Sequence, residues 1–69
     1  MKDIGTAIKN RRKQLKINQR LLAELSGIGI NTLTKIERGE GNPTMEILCR
    51  VLDTLGLVLL VSVKTVNEE

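Results

Sequence analysis

The chain has 69 residues, one cysteine, no histidine, no aromatic residue and a formal net charge of +3. At this length it makes one domain, spanning 1–69, that buries only about 60% of its unfolded surface. Neither a disulfide nor a histidine- or cysteine-based metal site can hold it together, so metal and other cofactors are not expected and dimerisation is the remaining means of stabilisation.

The lone cysteine fits a reducing compartment, and the N-terminus lacks the basic start and apolar run of a secretory leader. The longest apolar run, Leu57 to Val61, is far too short to span a bilayer. A soluble cytoplasmic protein with no membrane partner is expected. Charge is unevenly spread: residues 1–38 carry nine Lys or Arg against three acids, and residues 39–69 carry two against five, so the halves net +6 and −3. A basic half beside an acidic half suits one face that meets a polyanion.

In chain order, Asp3 can cap a first helix over about 3–15, with Ile4, Ala7, Ile8 and Leu15 at three- and four-residue spacing and Lys9, Arg11, Arg12, Lys13 and Lys16 crowding the remainder. Asn18 is a good N-cap for a short helix over 19–25, and Gly27 supplies the left-handed residue that ends one. Gly29 can lead a third helix over 30–38, with Leu33 and Ile36 inward and Gly39 as its stop. After the turn EGNP at 40–43, Thr44 can cap a fourth helix over 44–55, with Glu46 in its first turn and Leu48, Val51, Leu52 and Leu55 as its stripe. Cys49 then sits among apolar neighbours as a buried thiol. The run LVLLVSV, rich in β-branched and long apolar residues, predicts a strand over about 57–64.

Two short helices joined by a tight glycine turn, Asn18 to Arg38, have the helix-turn-helix arrangement, whose second helix enters the major groove of duplex DNA. The stretch NQRLLAELSGIGINTLTKIERG resembles the lambda repressor and Cro family, with Gln19, Ala23, Gly27, Ile28, Leu33, Ile36 and Glu37 at the family's positions. The resemblance covers about residues 4–56 and extends through ERGEGNPT. It implies an all-α, lambda-repressor-like domain that binds double-stranded DNA. Carried over, Gln19 would touch a phosphate, while Asn31, Thr34 and Lys35 would face base edges. The chemistry agrees, since Asn pairs bidentately with adenine, Lys reaches guanine acceptors and a Thr methyl meets a thymine methyl. Thr32 and Arg38 would hold phosphates. Ile30, where the family carries a polar residue, could contact a thymine methyl. The resemblance also implies that Glu37 pairs with Arg12, which makes Arg12 structural and leaves Lys9, Arg11, Lys13 and Lys16 as diffuse attraction.

A lone apolar strand leaves a row of unpaired backbone groups. The same strand of a second subunit, antiparallel across a two-fold axis, would satisfy it, placing Leu57, Leu59, Val61 and Val63 at a homodimer interface. Two-fold symmetry suits an inverted-repeat operator, and the expected function is a transcriptional repressor. The ending LGLVLLVSVK resembles the antitoxin subfamily of these repressors, whose partners are kinase toxins, so an antitoxin that binds a toxin and autorepresses its operon is the alternative. Leu21 and Leu25, four residues apart, are expected to be covered by the C-terminal strand or tail, the alternative being a patch for another subunit or a partner protein. An enzyme is not expected, because the chain has no histidine and no paired carboxylates in a plausible cleft.

Overall fold

The structure, a computed structural model, describes residues 2–60. Local chemistry at the chain's polar and glycine positions divides it into four helices: α1 (Lys2–Gln14), α2 (Gln19–Ser26), α3 (Ile30–Arg38) and α4 (Met45–Thr54). Asn18 Oδ1 accepts from the backbone N–H of Leu21 at 2.8 Å, and Thr44 Oγ1 accepts from that of Ile47 at 3.2 Å, each satisfying an otherwise orphaned donor. Gly29 precedes α3 without a side-chain cap.

All four helices end in the same double-bonded turn. At the end of α2 the N–H of Ile28 reaches the carbonyl of Ala23 at 3.0 Å and that of Gly27 the carbonyl of Glu24 at 3.2 Å, around a left-handed Gly27 at φ 71. Glycine adopts that conformation without a Cβ penalty, and its use here shortens the α2–α3 connection to three residues. The end of α1 repeats the pattern with a lysine: Ile17 N–H bonds Arg12 O, Lys16 N–H bonds Lys13 O, and Lys16 sits at φ 59. A side chain in that region costs about 1–2 kcal/mol.

The core is Ile8 of α1, Leu22 and Ala23 of α2, Leu33 and Ile36 of α3, and Leu48, Val51, Leu52 and Leu55 from α4 and its cap. Helix α3 packs against both α1 and α2, and α2 packs against α4. Ser26, itself buried, donates from Oγ to Thr54 Oγ1 at 3.2 Å and ties α2 to α4.

Three expectations are corrected. Ala7 and Leu15 are exposed, because the inner face of α1 carries Ile4, Gly5, Ile8 and Arg12 instead, and Leu15 falls beyond the helix end. Cys49 is exposed rather than buried, since it is about 100° around the helix from Leu48 and off the inward stripe. Arg11 is not a diffuse surface charge: its Nε donates to Leu55 O at 3.0 Å, a cation at the C-terminal end of α4 where the helix dipole favours one. Leu21 and Leu25 are exposed, and most of the strand and tail expected to cover them lies outside the described residues.

The expected strand lies mostly outside the described residues, Val61 and Val63 included. Residues 57–60 are not in a strand. Leu57 is drawn inward, its N–H bonding Leu52 O at 2.8 Å to close α4 and its side chain packing on the core, so it is half-buried in the monomer. Leu59 is partly exposed at its surface, and Val58 and Leu60 are 75% and 83% exposed.

Candidate nucleic-acid interface

Along α3, about 100° separates successive residues. Leu33, Ile36 and Glu37 therefore share the inner face and are buried, whereas Asn31, Lys35 and Arg38 form an outward stripe and are exposed. Ile30 projects at the start of the helix, 42% exposed. Thr32 and Thr34 are half-buried on opposite flanks. The Thr32 flank faces the Glu40–Pro43 turn across a hollow of about 220 Å³ that Lys35 and Ile36 also line.

The platform beneath this stripe is a charged pair. Arg12 donates from Nε to Glu37 Oε2 at 2.7 Å and from Nη2 to Glu37 Oε1 at 3.1 Å. Both residues are buried, at 9% and 7% exposure. The guanidinium also donates from Nη1 to Ile17 O at 3.0 Å, so one side chain fastens α1, the α1–α2 turn and α3. The planar fork makes this arrangement specific to arginine, since the three donors of an ammonium all radiate from one nitrogen and cannot match both carboxylate oxygens in parallel.

Gly5 completes the α1–α3 contact. A Cβ there would collide with the carbonyl oxygen of Ile36 and come within 3.0 Å of that of Glu37. The absent side chain lets α1 lie directly on the last turn of α3. Sequence reading missed this residue, although a glycine inside an otherwise regular helix is the signal that could have found it.

Gln19, at the first position of α2, leans toward α3. Its Nε2 donates to Glu37 Oε1 at 2.9 Å, and its Oε1 lies 3.3 Å from Thr34 Oγ1. Thr34 also donates to the carbonyl of Ile30, 2.9 Å away. The two helices are thus joined at their polar edge by a chain running Arg12, Glu37, Gln19, Thr34. Of the residues predicted to meet DNA, the structure brings Gln19, Ile30, Asn31, Thr34, Lys35 and Arg38 to the surface formed by α3 and the start of α2, with Thr32 on the flank beside the 40–43 turn.

No helix among the described residues is long and apolar enough to cross a membrane, and these residues contain no cluster of His, Cys, Asp and Glu suited to a metal ion.

Comparison with known proteins places the whole arrangement. A helix-turn-helix family matches residues 8–60. An uncharacterized HTH-type transcriptional regulator of Haemophilus influenzae is 42% identical over 48 residues, 70% of this chain and 49% of the relative. The cryptic phage CTXphi transcriptional repressor RstR of Vibrio cholerae is 40% identical over 52 residues, 75% of this chain and 46% of the relative. An HTH-type transcriptional regulatory protein of Methanococcus maripaludis is 30% identical over 63 residues, 91% of this chain but 19% of the relative. The chain thus spans about half the length of the two bacterial relatives and less of the archaeal one. The polar edge of α2 and α3, the Arg12–Glu37 platform and the extent of the match together show that the chain belongs to the lambda repressor-like helix-turn-helix family.

Proposed function

We propose that the chain is a cytoplasmic, sequence-specific DNA-binding regulator that represses transcription as a homodimer on an inverted-repeat operator. The observation that carries this reading is the outward stripe of α3, Asn31, Lys35 and Arg38, exposed above a buried ion pair that ties the helix to α1. Lys35 reaches the guanine O6 and N7 acceptors, Asn31 pairs with adenine, and Ile30 meets a thymine methyl. Arg38, Thr32 and the Gln19 amide hold phosphates and set the register. The excess of +6 over residues 1–38 supplies the sequence-independent part of the attraction.

Repression is supported by the likeness to a phage repressor. The dimer is supported by the apolar composition of residues 57–63. A two-fold axis would set two recognition helices about 34 Å apart, one turn of DNA.

A second reading, in which the same domain also neutralises a protein such as a kinase-type toxin, is favoured by Leu21 and Leu25, exposed at 39% and 61% one turn apart on α2. It is compatible with the first reading. The test is an NMR titration with duplex DNA. Amide shifts confined to residues 18–20, 29–38 and the 40–43 turn are expected, and shifts centred on the outer face of α4 would overturn the assignment. Binding that survives Lys35→Ala and Asn31→Ala but fails in Leu21→Asp would favour a protein-directed role.

A further inference from the structure

We infer that Thr34, although on the recognition helix and expected from the sequence to face base edges, is a positioning residue that aims the Gln19 amide at the DNA backbone. The inference rests on the DNA-binding reading above and assigns a role within that surface.

Four features of the geometry carry it. First, the Glu37 carboxylate is acceptor-only, so the Gln19 group 2.9 Å from it is the Nε2 donor and the amide is oriented with Oε1 on the other side. Second, the group facing Oε1 is the Thr34 hydroxyl at 3.3 Å, the near neighbour able to donate to it among the described residues. Third, Thr34 is half-buried on the flank of α3 that faces α2, not on the exposed stripe of Asn31, Lys35 and Arg38. Fourth, its single hydroxyl proton is shared between Gln19 Oε1 and the Ile30 carbonyl at 2.9 Å. That carbonyl already has the helical N–H of residue 34 as its partner, so the hydroxyl can turn to Gln19 without orphaning a backbone group.

With one Nε2 proton on Glu37 and Oε1 on Thr34, the amide plane is held at two points. An amide carries two N–H donors. The second is left pointing in a fixed direction at the first turn of α2, where the backbone N–H groups of a helix start also favour a phosphate. The recognition helix therefore governs a backbone contact made from the neighbouring helix, and any tilt of α3 that disturbs base contacts also moves the Gln19 donor.

The test uses three variants of the full chain: Thr34→Val, which removes the hydroxyl and keeps the shape, Thr34→Ser, which keeps the hydroxyl, and Gln19→Ala. Thr34→Val is expected to weaken binding by about two- to tenfold, the weight of one hydrogen bond, equally on every duplex in a binding-site profile. Thr34→Ser is expected to stay within twofold of the parent. In the Gln19→Ala background, Thr34→Val is expected to cost nothing more. A changed preference at one base pair in Thr34→Val or Thr34→Ser, or strictly multiplicative losses in the double variant, would overturn the role. A readout independent of DNA accompanies these. In the free protein, the Gln19 side-chain ¹⁵N order parameter is expected to fall in Thr34→Val and hold in Thr34→Ser, and no change in Thr34→Val would refute the positioning. If the parent binds no duplex at all, the DNA-binding reading fails while the order-parameter measurement still decides the Thr34–Gln19 link.

Discussion

Arg12→Met removes a guanidinium that makes two bonds to Glu37, at 2.7 and 3.1 Å, and one to the Ile17 carbonyl. The Glu37 carboxylate would stay buried with only the Gln19 amide as a partner. Breaking a buried pair on one side costs about 3–5 kcal/mol, because the surviving charge has lost its compensation. Small domains hold about 5 kcal/mol in total, near the low end of the usual range. The single substitution therefore removes most of the stability. The double variant Arg12→Met, Glu37→Leu removes both charges and fills the space with apolar volume, which is often close to neutral for such pairs. It is expected to be more stable than Arg12→Met alone by about 2 kcal/mol or more. With no aromatic residue in the chain, unfolding by urea is followed by circular dichroism rather than fluorescence, at matched protein concentration. A loss under about 1 kcal/mol in Arg12→Met, or a double variant no better than the single one, would refute the platform role of the pair.

Gly5→Ala should lower the melting temperature by about 4 °C or more, against the helix propensity of alanine, because the added Cβ meets the backbone oxygens of Ile36 and Glu37. A rise on thermal melting would contradict the close approach. Lys16→Gly should raise stability by up to about 1 kcal/mol, the left-handed cost at φ 59 outweighing the entropy of a glycine in the unfolded chain. A lower melting temperature would show that the turn is held for another reason. Lys35→Ala should relax preference at a G·C position, whereas Gln19→Ala should weaken binding to all duplexes alike. Indistinguishable binding-site profiles for the two would remove the division between base and phosphate contacts. Val61→Asp should dissociate a homodimer and weaken DNA binding together. Light scattering that still reports a dimer would detach Val61 from the interface.

The helix ends were legible in the sequence because their chemistry is local. Asn18, Gly27, Gly39 and Thr44 each act within a few residues of themselves, and each sits where its side chain or its freedom at positive φ requires. The stripes of α3 and α4 were legible for the same reason, being plain runs of apolar residues at helical spacing. The inner face of α1 was legible only in part: periodicity counts its inward Gly5 as a breaker and Arg12 as a surface charge, and the pairing of Arg12 with Glu37 came from the family resemblance instead. Their burial is set by contacts with residues 36 and 37, far away in the chain. The capping of α4 by Arg11 and the leaning of Gln19 onto Glu37 and Thr34 are likewise tertiary, joining residues 44, 18 and 15 apart. Cys49 was misread because its chain neighbours are apolar, although its angle on α4 turns it outward. A strand partner on another subunit is not written in one chain, and the expectation for residues 57–64 rests on composition alone.

Selection of bound duplexes from a random DNA pool at near-physiological salt decides whether a two-fold protein recognises a specific sequence here. An enriched inverted repeat, with half-site centres about one helical turn apart, is the predicted result. Salt-sensitive binding with no enriched sequence would contradict it, leaving a basic surface that attracts DNA without reading it.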